Sequence, residues 1–243
     1  MERVLRTGAA DLPCTASADA ISNEAAHRRS PSQPDAYATL DESARRGMGE
    51  TKAMSYTSQT PSDARLIERA VSQYFPKVKF LEIGVFEFHT SRAIKDLCDR
   101  NGAALDFWGI DDYTHPMFRD RIPPVPPFPC NFVAGHSHEV AHLLPDDFDV
   151  ILVDGDHSLP AVLLDTIIYG AKVRRGGLIL FHDTSPHIQQ TMREQHGPEH
   201  RWFFNSVNEA HRLMNFPTGE WVLWEESHDE KSIWGGIRAY IKK

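Results

Sequence analysis

The sequence has no apolar run near the ~20 residues that cross a bilayer, and its N-terminus lacks the apolar core of a secretory signal. Cysteine is scarce. Cys14, Cys98 and Cys130 are an odd number without metal-type spacing. That speaks against a disulfide framework or a cysteine-built zinc site. It points to a reducing cytoplasm, with the thiols as packing or surface residues. Positive charge is not in excess either. A formal net charge of -8 removes the electrostatic case for nucleic acid or an anionic membrane as partner. Over residues 1–60 large aliphatic residues are nearly missing: Val4, Leu5, Leu12, Ile21 and Leu40 are the five from Leu, Ile, Val and Phe. Such a segment cannot bury enough apolar surface to offset its ordering entropy. Residues 1–60 are therefore expected to form a flexible N-terminal extension with short helices at most. Acidic residues among its arginines argue against a transit peptide. Met48 and Met54 offer alternative starts, and Tyr56 and its neighbours are placed to form a lid over the domain on their C-terminal side.

From residue 61 to 243 the pattern alternates. "SDARLIERAVSQYF" has apolar residues at Ala64, Ile67, Ala70, Val71 and Tyr74, a helical stripe with Ser62 as the expected N-cap. "VKFLEIG" reads as a first strand, and "SRAIKDLCDRNG" as a helix ending on Gly102. "LDFWGID" is a second strand. "RIPPVPPFPC" holds five prolines, which allow neither a helix nor a central strand. "NFVAG" and "FDVILVD" are the third and fourth strands. "LPAVLLDTIIYGAKVRRGG" reads as a helix with Pro160 in its first turn and glycines at its end, followed by a fifth strand, "GLILFHD". A polar and helical stretch over about 186–214 leads to "EWVLWEE" and "GGIRAYIKK", a closing antiparallel pair. Continuous apolar strands alternating with helices predict an α/β fold with a doubly wound, mostly parallel seven-stranded sheet and an antiparallel last strand.

Such sheets bind ligands at the carboxyl ends of their strands, beside the switch in strand order. Several strand ends here are polar together. The first ends in Glu82-Ile83-Gly84, where a glycine lets backbone approach a ligand and the next helix offers free N–H groups. The second ends in Asp111-Asp112, the distance along the chain at which these folds hydrogen-bond a ribose. The third ends in "GHSHE". The fourth runs from Val150–Val153 into Asp154-Gly155-Asp156-His157, and the fifth ends in His182-Asp183. Asp154, His182 and Asp183 would converge from neighbouring ends, and two carboxylates with an imidazole make a reasonable divalent-metal site. Asp156 reads as a turn residue. "HSHEVAH" superficially suggests a zinc hydrolase, but it lacks the aspartate and adjacent histidine of such motifs. A nicotinamide-dependent oxidoreductase would need a GxGxxG turn that residues 84–91 do not supply. Trp202, Phe203 and Phe204 read as core or pocket wall.

"FLEIGVFEFHTSRAI", "WGIDDY", "VAGHSHEV", "DVILVDGDHS" and "RRGGLILFHDT" resemble, in order and spacing, the class I S-adenosylmethionine-dependent methyltransferases. The resemblance is closest to the small-molecule O-methyltransferase group of macrocin and mycinamicin sugar O-methyltransferases and cephalosporin hydroxylase-like proteins, and more distant to catechol O-methyltransferase. It covers about residues 62–243. It implies that Glu82 and Gly84 line the methionine part of the cofactor, with Asp154 beside it. Asp111 would take the ribose hydroxyls, and Ser137 and His138 would sit by the adenine. Asp154, His182 and Asp183 would hold a divalent metal, usually magnesium in that group. His157 would be the general base. The implied acceptor is a small-molecule hydroxyl, of a sugar or a natural product, and a homo-oligomer is open.

Two residues depart from the family pattern. Phe88 stands where the family usually has glycine, and would either crowd the cofactor loop or pack against the sheet. His182 stands where relatives often have Asp or Glu, and imidazole suits manganese, iron or zinc better than magnesium. The alternative reading, resting on Phe88, is a catalytically degenerate binding module.

Overall fold

The computed structural model describes residues 60–114, 124–187, 206–228 and 235–243, all within the compact unit Tyr56–Lys243. The expected N-terminal extension, the lid at Tyr56 and the wall residues Trp202, Phe203 and Phe204 lie outside the described residues. No described helix is long and apolar enough to cross a membrane.

The first helix, α1 (Pro61–Ser72), starts earlier than the stripe predicts. Its N-cap is Thr60, not Ser62, because Thr60 and Asp63 close a reciprocal capping box and Pro61 fits the first turn. Leu66, Ile67, Ala70 and Val71 form its buried face, whereas Ala64 is exposed. Asp63 lies on that same face and is fully buried.

Strand β1 (Lys77–Ile83) leads through a tight loop into α2 (His89–Arg100), and then come β2 (Ala104–Asp111) and β3 (Asn131–Ala134). Residues 124–130 of the proline-rich stretch form neither helix nor strand, as five prolines dictate. A short helix, α3 (Ser137–Val140), and a 3-10 turn (Ala141–Leu143) precede β4 (Phe148–Val153). Helix α4 (Leu159–Lys172) is shorter than expected. Val173 to Gly177 continue directly as the first half of β5 (Val173–Phe181) and do not close the helix. Gly177 is confined there: a Cβ would come 2.9 Å from the Phe148 carbonyl oxygen on the neighbouring strand. Helix α5 (Val207–Leu213), β6 (Trp221–Ser227) and β7 (Ile237–Lys242) complete the described elements.

The seven strands are ordered β3-β2-β1-β4-β5-β7-β6. The first five are parallel. β7 runs antiparallel to both β5 and β6. Strand residues alternate between two cores. Phe80, Val150, Leu152, Leu178 and Leu180 pack under α1 and α2. Leu81, Ile83, Ile151, Val153, Ile179 and Phe181 pack under α4 and α5. The strand order switches direction between β1 and β4, so the crevice expected for a ligand opens at Gly84 and Asp154.

Candidate active site at the carboxyl ends of the strands

Gly84 leaves β1 with φ +85°. A Cβ there would stand 2.1 Å from the carbonyl oxygen of Asp154, so the two strand ends touch backbone to backbone. The loop that follows turns through Phe86 (φ 50°) and Phe88 (φ 61°), a conformation that favours glycine. Packing explains why it holds. Phe88 is fully buried in the core under α1 and α2, and its ring lies 5.9 Å from that of Phe132. Of the two outcomes expected for Phe88, the structure gives packing against the sheet. The Asp111 carboxylate clamps the same loop, accepting from the Phe86 amide and the Tyr113 amide at 2.7 Å each.

Glu82 is buried, and its Oε2 has no hydrogen-bond partner among the described residues. Burial, then the nearby Asp154 charge, push its pKa well above the ordinary range. An orphaned carboxyl oxygen beside a glycine whose Cβ position is already filled by backbone suits a bound, cationic, closely held group.

Ser137 and His138 do not share one role. The Ser137 hydroxyl is turned to α4, donating to Asp165 at 2.6 Å, while the Tyr169 hydroxyl donates to the Ser137 carbonyl at 2.7 Å. Asp165 is buried, and desolvation pushes its pKa up to about 6 despite the Ser137 hydrogen bond. His138 is exposed and stacks on His136 with centroids 5.8 Å apart, and His136 pairs with Asp112 at 2.6 Å.

The fourth and fifth strand ends bring four charged groups together. His182 Nδ1 donates to Asp154 at 2.9 Å and lies 3.4 Å from Asp183. His157 Nδ1 stands 3.0 Å from Asp183 Oδ2, and its Nε2 is 3.5 Å from Asp154 Oδ1. Asp183 takes φ 56°, and its carboxylate is held by the Gly235 amide at 3.1 Å. The predicted convergence of Asp154, His182 and Asp183 is therefore present, and His157 joins them. Burial alone would depress both imidazoles, but the carboxylates override it. Asp183 and Asp154 push His157 up to about 10, and Asp154 and Asp183 push His182 up to about 9. Burial likewise opposes ionisation of Asp154 and Asp183, and the two imidazoles reverse this, holding both carboxyls below the usual range.

One donor atom each from Asp154, His182 and Asp183 lies within 4.8 Å of the others. Two hard oxygens and an imidazole suit a divalent cation, and the donor set fits one. As arranged, His157 carries a proton at neutral pH. A second positive charge sharing those carboxylates would weaken their hold on that proton.

Asp63, Asp165 and the Gly235–Gly236 amides were not singled out by sequence. Asp63 left a signal, since it falls on the helical stripe with Leu66, Ile67 and Ala70. Asp156 is the turn residue expected, accepting from the Ser158 amide at 2.8 Å.

Comparison with known proteins agrees with this architecture. Residues 81–184 match a family profile described as "Methyltransferase domain". No curated protein matches the sequence significantly. Among solved structures the chain is similar to cofactor-bound Rv0187 from MTB, at 13% identity and TM-score 0.51, over 87% of this chain and 90% of that one. It is similar too to the O-methyltransferase TomG of Streptomyces achromogenes, involved in tomaymycin synthesis and solved with S-adenosylmethionine. That match has 12% identity and TM-score 0.50, over 74% of this chain and 78% of the other. The fold is that of the class I methyltransferases. The profile match spans both strand ends of the crevice, from β1 to just beyond β5.

Proposed function

We propose that the chain is an S-adenosylmethionine-dependent, metal-assisted O-methyltransferase acting on a hydroxyl of a small molecule, a sugar or a natural product, as the macrocin and mycinamicin type enzymes it resembles do. One observation carries the reading: Asp154, His157, His182 and Asp183 meet at the switch point, beside the backbone contact of Gly84 with Asp154. In this reading Glu82 and Gly84 receive the methionine end of the cofactor and Asp111 the ribose. The β3–α3 loop around Ser137 and His138 borders the adenine, with the Ser137 hydroxyl acting through Asp165 and not on the base itself.

Asp154, His182 and Asp183 would hold the cation, which supplies the charge that lowers the pKa of an acceptor hydroxyl. His157 holds the position from which that proton can be taken, in reach of the same crevice. The sulfonium then needs in-line positioning and little else. The degenerate-module alternative rested on Phe88. Its ring is in the core and not in the loop's open side, so that support is gone.

The test is calorimetry with S-adenosylmethionine, followed by methylation of a panel of sugar and phenolic hydroxyls with and without EDTA. Low-micromolar cofactor binding and EDTA-sensitive turnover are expected. No cofactor binding at millimolar concentration would refute the enzyme reading, and turnover indifferent to EDTA would refute the metal.

A further inference from the structure

Asp63 is a fully buried acid behind the site, in the first turn of α1. Its carboxylate accepts from the Thr60 amide at 3.1 Å, the Thr60 hydroxyl at 2.8 Å, the Gly236 amide at 3.1 Å and the Ser227 hydroxyl. It also faces His182 Nε2 at 3.9 Å. That nitrogen is buried and has no hydrogen-bond partner among the described residues. The other ring nitrogen, Nδ1, is turned to Asp154 and Asp183. The imidazole thus stands between the candidate metal site on its Nδ1 side and Asp63 on its Nε2 side. Two successive amides tie the sides together: Gly235 N–H holds Asp183, and Gly236 N–H holds Asp63. The contact is close, since a Cβ on Gly235 would come 2.6 Å from Asp63 Oδ2.

We propose that Asp63 is the positioning residue of His182: its charge, 3.9 Å from Nε2, favours the tautomer with the proton on that nitrogen and so presents Nδ1 to a divalent cation shared with Asp154 and Asp183. The proposal rests on the metal-assisted reading of the site. A coordinating ring nitrogen must be free of its proton, so the remaining proton sits on the opposite nitrogen. A carboxylate there fixes the tautomer and the ring plane and strengthens the imidazole as a ligand. Asp63 is itself fixed by four donors, so it can serve as an anchor. A carboxylate in place of His182 would need no such partner, and would be repelled by one. Asp63 is thus matched to the residue by which this chain departs from the family pattern.

The test is titration of the full chain with manganese(II) alone, without S-adenosylmethionine. Asp63→Asn is expected to weaken manganese binding by about 10–100-fold. Thr60→Ala and Ser227→Ala each remove one hydroxyl donor to Asp63 and leave both amides, so they should lower Tm and weaken manganese far less than Asp63→Asn does. In a His182→Glu background, Asp63→Asn should tighten binding, because a like charge is removed. Equal affinity in wild type and Asp63→Asn overturns this proposal alone, as does an undiminished loss in the His182→Glu background. Uptake of no manganese by the wild type overturns the metal reading and this proposal with it. Nitrogen-15 NMR of the zinc-loaded wild type tests the same point without a variant. A proton on His182 Nε2 supports it, and metal on Nε2 overturns it.

Discussion

The carbonyl oxygen of Asp154 lies 2.1 Å from the place where a Cβ on Gly84 would stand. The two strand ends that define the crevice are in contact, and Gly84 is at φ +85° besides. Gly84→Ala therefore meets backbone and an unfavourable φ together. It should destabilise by about 2–4 kcal/mol and abolish cofactor binding. Urea unfolding and calorimetry measure both. An alanine variant with wild-type cofactor affinity would show that the contact is not required.

Asp111→Ala is expected to weaken S-adenosylmethionine by about 1.5–3 kcal/mol if the carboxylate holds the ribose. The structure adds a second effect that the sequence did not suggest. The carboxylate also satisfies the amides of Phe86 and Tyr113, so stability should fall by about 1–3 kcal/mol as well. Loss of stability with unchanged cofactor affinity would reduce Asp111 to a loop clamp.

The crevice was legible because β2, β4 and β5 run directly into Asp or His residues, and the strand order β3-β2-β1-β4-β5 brings the β4 and β5 ends together beside β1. Other features were not, for identifiable reasons. Thr60 and Ser62 are both capping types, and the reciprocal bond to Asp63 decides between them only in three dimensions. Val173 follows α4 without a breaker, so the start of β5 is set by pairing with β4 and not by local sequence. Left-handed backbone at Phe86 and Phe88 contradicts local preference, and burial of Phe88 overrides it. The pairing of Asp63 with His182 joins residues far apart in the chain, which one sequence cannot show.

Asp154→Ala and His157→Ala should separate two roles. If Asp154 holds a cation, Asp154→Ala removes a ligand, and metal content, EDTA sensitivity and turnover should fall together. His157→Ala should keep metal and cofactor and lose roughly 10²–10⁴ in turnover, the usual worth of a positioned base. Its residual rate should rise with pH as hydroxide replaces the imidazole. A fully active His157→Ala enzyme would assign the proton to another group.

Asp165 makes stability depend on pH. Its folded pKa of about 6 lies above the ordinary 3.8, so the native state favours the protonated acid. The stabilisation is complete below 3.8 and is lost as pH rises through about 6, a difference on the order of 2–3 kcal/mol. Asp165→Asn keeps an acceptor for the Ser137 hydroxyl and carries no charge. Chemical unfolding at about pH 5 and about pH 8, either side of the folded pKa, should show the variant gaining on wild type at the higher pH. A constant difference between the two proteins would mean that Asp165 is ionised throughout.

The position of β7 has a consequence for synthesis. It is the last described strand to leave the ribosome, yet it lies inside the sheet, between β5 and β6. Until it arrives, β6 has no strand to pair with and the hydrogen-bonding edge of β5 stays open, a period of exposure to wrong association. The same late segment delivers the amides that hold Asp183 and Asp63. A nascent chain halted before residue 235 would lack both amides, leaving Asp183 and Asp63 without those donors however well β1 to β5 had paired.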